Sequence, residues 1–401
     1  MRALRFNQDA TCCSVAMSPS SLCIYNCDPF GKCFELENGS RSSSREDLAS
    51  LQHSSEPDFI VEMLFSTSLI AVVDRSQGSQ KSKKLKIVNT KRKSTICELT
   101  FPHEIRDVAM NRKRMCVLLA SDQIFIYDIS CMKLLQTIDV LEGKLDIGTP
   151  YSKPAGSSAA EGQESNVRMA LSSDNNSILC YSTFSRSSKD QRVFNDVVVF
   201  DALNVTPVNY LNSVHKSSIS CLAVTHNGKL VASASERGTI VRIFQTGSDV
   251  EFDGNMPLLR EFRRGTRPAA IYEMKFNSTA ALLGCVGDTD TIHVFKLSES
   301  HEMESSRSSD GRDSWIESRL AKDSPKQFAS FLSKKVISRI PSQSVARDFA
   351  FMKVAEEVKH CIGFPEEFPN QVYVAGNDGI LQIYELPTEH GECILLKNSK
   401  F

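Results

Sequence analysis

Tryptophan is nearly missing from this 401-residue chain; Trp315 is the only one. Net charge of one sign is missing as well. The 47 basic and 48 acidic side chains leave a formal charge of -1. No global field draws such a protein to nucleic acid or to an anionic membrane, so any anion recognition must be local. Aromatic and basic residues are not interleaved, which also disfavours nucleic acid. No apolar run is long enough to span a bilayer. Met1-Arg2-Ala3-Leu4-Arg5-Phe6 enters a strand-like pattern directly, so no secretory leader is expected. Phosphate-binding G-x-x-x-x-G-K-S/T loops, H-E-x-x-H and the nucleophile elbow are all absent, which points away from an enzyme.

Cysteine, by contrast, is plentiful. The chain has 13, an odd and scattered set, and many lie in apolar strand-like runs (Cys116, Cys180, Cys221, Cys285). Buried free thiols in a reducing compartment account for them. Cys23-Ile-Tyr-Asn-Cys27 has loose metal-ligand spacing, but it has no second pair and no suitably spaced histidine. Neither a metal nor a cofactor is expected.

A weak repeat runs through the chain. A β-branched residue, usually an aromatic, then a polar residue closes a strand-like run seven times. The copies are Ile24-Tyr25-Asn26, Ile87-Val88-Asn89, Ile126-Tyr127-Asp128, Val199-Phe200-Asp201, Ile243-Phe244-Gln245, Val294-Phe295-Lys296 and Ile383-Tyr384-Glu385. Ser220–Val224, a His-Asn-Gly turn at 226–228 and Leu230–Ala234 show the preceding pattern of strand, tight turn and strand. Units of roughly 40–50 residues with several strands each predict an all-β, seven-bladed β-propeller. Without the Trp-Asp dipeptide, these are divergent WD repeats. Three polar stretches exceed the repeat: 37–56, 141–166 and the long 298–345. They read as loops thrown out from the blades of a single 1–401 domain and largely disordered when free.

Phe262-Arg263-Arg264-Gly265 stands apart from this pattern. Neighbouring side chains on a strand point to opposite faces. Two adjacent guanidinium groups can therefore seed two anion pockets back to back, each holding phosphate through a planar fork of donors. An arginine pair that only deters edge pairing is the plain alternative.

That motif, between the fifth and sixth repeats of a tryptophan-poor propeller, resembles the PROPPIN family, the WIPI-like propellers of autophagy. Phe6-Asn7-Gln8-Asp9 and the run from Tyr25 to Phe34 are similar to its fungal members. So are Val61–Ile70, Lys84–Lys93 and Glu367–Gln371. The resemblance implies an effector of phosphatidylinositol 3-phosphate and the 3,5-bisphosphate. It also implies recruitment of the lipid-conjugation machinery in selective and bulk autophagy, including cytoplasm-to-vacuole targeting. The expected places are the cytoplasm and the periphery of preautophagosomal, vacuolar and endosomal membranes. Carried across by position, one pocket is expected to use His215, Ser235, Thr239, Arg242 and Arg263. The other is expected to use Arg264, Thr266, Arg267, Thr289, Thr291 and His293. Asp288 and Asp290 depart from the family pattern, and a carboxylate pointing inward disfavours a phosphate there. Strand alternation is expected to turn Asp290 away from Thr291.

In the longest insert, Phe328, Phe331, Leu332, Val336 and Ile340 fall at helical spacing. Lys326, Lys334, Lys335 and Arg339 surround them, as in an interfacial amphipathic helix. The family has a membrane-inserting loop at this place in the sixth blade. Arg112, Lys113 and Arg114 form a basic turn of the third blade, and the run 81–93 is a second basic stretch. The resemblance implies a docking partner, the coiled-coil subunit of the autophagy lipid-conjugation complex (autophagy-related protein 16-like). A monomer when free and no nucleic-acid partner are expected. A scaffold propeller that does not itself bind lipid is the competing reading.

Overall fold

The computed structural model describes residues 2–18, 21–37, 59–75, 82–141, 167–184, 193–248, 258–297 and 345–401. They form seven antiparallel sheets in chain order, with no helix among the described residues. The sheets span 2–37, 59–100, 105–139, 169–211, 219–263, 271–353 and 360–400, and are blades 1 to 7. Six have four strands and blade 6 has five, ordered from innermost to outermost. The innermost strand of every blade contacts that of the next, and His360–Gly363 of blade 7 contacts Arg2–Phe6 of blade 1. The ring is thus a closed seven-bladed β-propeller. Its compact unit is Met1–Leu297 with Arg347–Phe401. The unit Ser298–Ala346 lies outside the described residues except for its last two. The expected inserts 37–56 and 141–166 lie outside them except for Glu37 and Leu141.

The repeated tripeptide ends the third strand of every blade, from Ser21–Asn26 in blade 1 to Ile380–Glu385 in blade 7. Its β-branched residue is buried in each. Its polar residue caps the next turn where the chemistry allows. Asn89 accepts the Arg92 N–H (2.9 Å), Asp128 that of Ser130 (2.8 Å) and Asp201 that of Leu203 (2.9 Å). A carboxylate or amide two or three residues ahead mimics a backbone turn and fixes the hairpin.

The expected unit of three strands is extended by a fourth. The outermost strands Ser94–Thr100, Lys133–Asp139 and Ile394–Lys400 are mostly exposed. Exposed strands carry no apolar alternation, so they leave little mark in the sequence. Blade 6 gains a fifth strand, Gly391–Glu392, which runs parallel to Ala350–Lys353.

The core lies between blades. Ile124 and Ile126 of blade 3 pack on Leu179 and Val198 of blade 4, and each neighbouring pair of blades repeats this. Each buried Ile or Val contributes roughly 1.5–3 kcal/mol. No blade combines strands from both ends of the chain. Blades 7 and 1 instead share a core that includes Phe6, Cys13, Cys23, Cys27, Cys361 and Tyr373. The Phe401 ring also lies 5.1 Å from Tyr25 and 5.8 Å from Phe30. All 13 cysteines are free.

Inside the ring, Arg5 of blade 1 bonds Glu62 of blade 2 (2.7 Å) and Asp107 of blade 3 (3.0 Å). Lys275 of blade 6 donates to the Asn7 carbonyl (2.7 Å). Charged groups removed from water are thereby paired or hydrogen-bonded, as burial requires.

Candidate functional site: two grooves beside blade 5

Strand register decides which way each candidate residue points. In blade 5, Ser233 pairs with Arg242, Arg242 with Glu261, and Ile240 with Arg263. Paired residues share a face. That face also carries Val231 and Phe244, which pack on blade 4 through Ile178, Val199 and Val214. The opposite face carries Val241, Ile243 and Phe262, which pack on blade 6 through Ile271, Cys285 and Phe295. Arg263 therefore looks toward the blade 4–5 groove. Arg264, two residues beyond Phe262, follows the blade 5–6 side.

The two arginines differ as much in burial as in direction. Arg263 is exposed, and its guanidinium makes no hydrogen bond or ion pair among the described residues. Arg264 is 8% exposed. Its Nε donates to the Gly238 carbonyl (2.9 Å), Nη2 donates to the Arg267 carbonyl, and its own N–H bonds the Thr239 carbonyl (3.0 Å). Burial lowers its pKa from the ordinary arginine value. The clasp depends on glycine. Gly238 has φ +56°, and a Cβ there would lie 1.9 Å from the Ala269 carbonyl oxygen.

In the blade 4–5 groove, His215 is 5% exposed and its Nε2 lies 3.0 Å from Ser233 Oγ. Burial first, and the Arg242 charge second, lower its pKa to about 4. His215 is thus a neutral imidazole at cellular pH. Arg242 bonds Glu261 (2.8 Å) and the Val214 carbonyl (2.7 Å). Ser235 is buried at the end of the second strand, and Thr239 is half-buried in the following bend.

In the blade 5–6 groove, Thr291 and His293 share the face of Phe295 and so look toward blade 5. Asp348 Oδ2 lies 2.9 Å from His293 Nδ1. Burial alone would raise this carboxyl, but the hydrogen bond and charge of His293 outweigh it and hold it below the usual range. Thr266 and Arg267 are exposed on the link between the blades. Thr289 Oγ1 donates to the Thr291 carbonyl (3.3 Å). Asp288 accepts the Ala270 N–H (2.9 Å). Asp290 departs from expectation. It lies in the bend before the strand, where alternation does not apply, and it accepts the Thr291 hydroxyl (3.0 Å). Sequence reasoning passed over Glu261, Asp348 and Lys353, the last directly opposite Thr291. Their partners are set by the register of fourth strands and by a short connection, which the local sequence does not fix.

The basic turn of blade 3 also divides. Arg112 and Lys113 are exposed, and the Arg112 guanidinium lies 4.4 Å from the Phe65 ring centroid of blade 2. Arg114 departs from the expected exposed turn. It begins the strand Arg114–Leu119 and is 8% exposed. It bonds the Ala202 and Leu203 carbonyls (both 2.8 Å) and Asp128 (3.3 Å). Its donors join blade 3 to blade 4. Lys91, Arg92 and Lys93 are exposed at the outer hairpin of blade 2. The apolar set Phe328, Phe331, Leu332 and Val336 lies outside the described residues.

A closed propeller with paired charged grooves beside one blade defines a class of binding protein. Comparison with known proteins gives the family. The PROPPIN family model matches residues 32–401. Autophagy-related protein 21 of Eremothecium gossypii is 56% identical, with all of both chains covered. Its counterpart in Saccharomyces cerevisiae is 45% identical over the full length of both. A solved complex of KlAtg21 with the coiled coil of AgAtg16 has 47% identity and a TM-score of 0.74, and covers both chains completely. The chain belongs to the PROPPIN family.

Proposed function

We propose that this chain is a non-enzymatic phosphoinositide effector in autophagy. It binds phosphatidylinositol 3-phosphate and the 3,5-bisphosphate through the two grooves beside blade 5, and brings lipid-conjugation machinery to autophagic membranes. One observation supports the lipid reading: Arg263 lies on the blade 4–5 face of its strand, whereas the Arg264 guanidinium is held on the other side by the Gly238 and Arg267 carbonyls. Two headgroup sites on one protein make the second binding event intramolecular, so avidity exceeds either affinity. That explains how a chain of net charge -1 could hold a membrane. The insert residues Phe328, Phe331, Leu332 and Val336 would add apolar contact with the bilayer, each buried side chain contributing about 1.5–3 kcal/mol.

Flotation with vesicles containing or lacking the 3-phosphate tests the reading. Wild type should float only with the lipid, and Arg263→Thr with Arg264→Thr should not float. Equal flotation of both proteins would favour the scaffold reading.

The coiled-coil partner of the KlAtg21 complex motivates the docking proposal. Arg112 and Lys113, and separately Lys91, Arg92 and Lys93, offer exposed cations for an acidic coiled coil. Arg112→Glu should lose that partner in a pull-down; normal recovery would remove this surface.

A further inference from the structure

We propose that Lys353 is a phosphate-binding residue of the blade 5–6 groove and gives that groove its preference for a doubly phosphorylated inositol head. The inference rests on the lipid reading above and adds a specificity to it. Lys353 is exposed at the end of the fourth strand of blade 6, directly opposite Thr291. Directly opposed residues have Cβ atoms about 5 Å apart and share a face. The ammonium of Lys353 is therefore within reach of whatever Thr291 and His293 hold. It makes no ion pair or hydrogen bond among the described residues. The fifth strand of blade 6 pairs with Ala350 and Phe351 only, so it leaves Lys353 uncovered.

The charge available in the two grooves points the same way. In the blade 5–6 groove, Arg264 is engaged by two backbone carbonyls and His293 by Asp348. Arg267 and Lys353 remain as uncommitted cations. In the blade 4–5 groove, Arg242 is held by Glu261, and Arg263 remains, with Lys216 also exposed on the link beside His215. Arg267 and Lys353 stand on different elements, one on the link and one on the fourth strand, and two separate cations suit two phosphates on one ring. The Thr291 hydroxyl now donates to Asp290, and it can rotate to a phosphate oxygen.

The test is vesicle binding of Lys353→Gln and Lys353→Arg, with either the 3-phosphate or the 3,5-bisphosphate lipid at matched density. Lys353→Gln should weaken binding to the bisphosphate by about tenfold, the effect of one charge-assisted hydrogen bond. Binding to the monophosphate should change less than about twofold, and Lys353→Arg should restore the ratio. Equal effects on both lipids, or none on either, would overturn the assignment while leaving the lipid reading in place. Wild type that binds neither lipid would overturn both. Inorganic phosphate is the control for source. If it displaces wild type from bisphosphate vesicles at concentrations near that of the lipid, the groove is a free-phosphate site and the headgroup assignment falls.

Discussion

In the blade 4–5 groove the motif's arginine is the exposed group and the histidine, His215, is buried. In the blade 5–6 groove the arginine is buried and the histidine, His293, is half-exposed. Each groove also holds a carboxylate against one expected site residue, Glu261 on Arg242 and Asp348 on His293. The two arginines of one dipeptide thus stand in complementary rather than duplicate surroundings. Alternation across a strand sets direction, and the packing on each side sets exposure. Residues that look equivalent in the motif should therefore respond differently to substitution.

The largest contrast is between the arginines themselves. Arg264→Ala should cost about 2–4 kcal/mol of stability, because two charged hydrogen bonds in a buried link are lost. Arg263→Ala should cost less than about 0.5 kcal/mol, as exposed substitutions usually do. Denaturant unfolding of the two variants measures this, and equal losses would break the comparison.

The next contrast is in pH. The folded-state pKa of His215, about 4, lies below the ordinary value of 6.5. A base with a depressed pKa contributes stability that is present above the unfolded pKa and is lost as pH falls through the folded one. The loss should run from about pH 6.5 to 4 and total roughly 3 kcal/mol. His215→Gln should flatten that limb of a melting-temperature profile. An unchanged slope would show that another group governs it.

Smaller effects concern the resident carboxylates. Glu261→Gln should tighten vesicle binding about threefold by freeing Arg242 from its competing anion. Asp290→Asn should tighten it less, about twofold, since this carboxylate is exposed. Weaker binding in either variant would mean that the carboxylate orients its partner more than it competes with lipid.

Much of this contrast was legible before any coordinates. The seven tripeptides mark all seven third strands, because a buried β-branched residue followed by a turn-capping polar group repeats wherever that hairpin must form. The direction of Arg263 follows from alternation within its strand, whereas Arg264 lies just past the strand's end and is turned by its bonds to the Gly238 and Arg267 carbonyls. What alternation cannot supply is burial. Arg114 reads as one of three surface cations, yet its guanidinium reaches across to the carbonyls of Ala202 and Leu203, nearly ninety residues away. Asp290 reads as part of a strand but belongs to a bend. What stands opposite Glu261 and Lys353, Arg242 and Thr291, is set by strand register, which neither strand's own sequence prints.

Calorimetric titration with soluble inositol 1,3-bisphosphate, the headgroup of the 3-phosphate lipid, addresses the divergence of the arginine pair most directly. Wild type should bind two headgroups per chain, and Arg263→Thr should bind one while melting at the wild-type temperature. A single headgroup per wild-type chain, or loss of all binding in Arg263→Thr, would mean that both guanidinium groups serve one site.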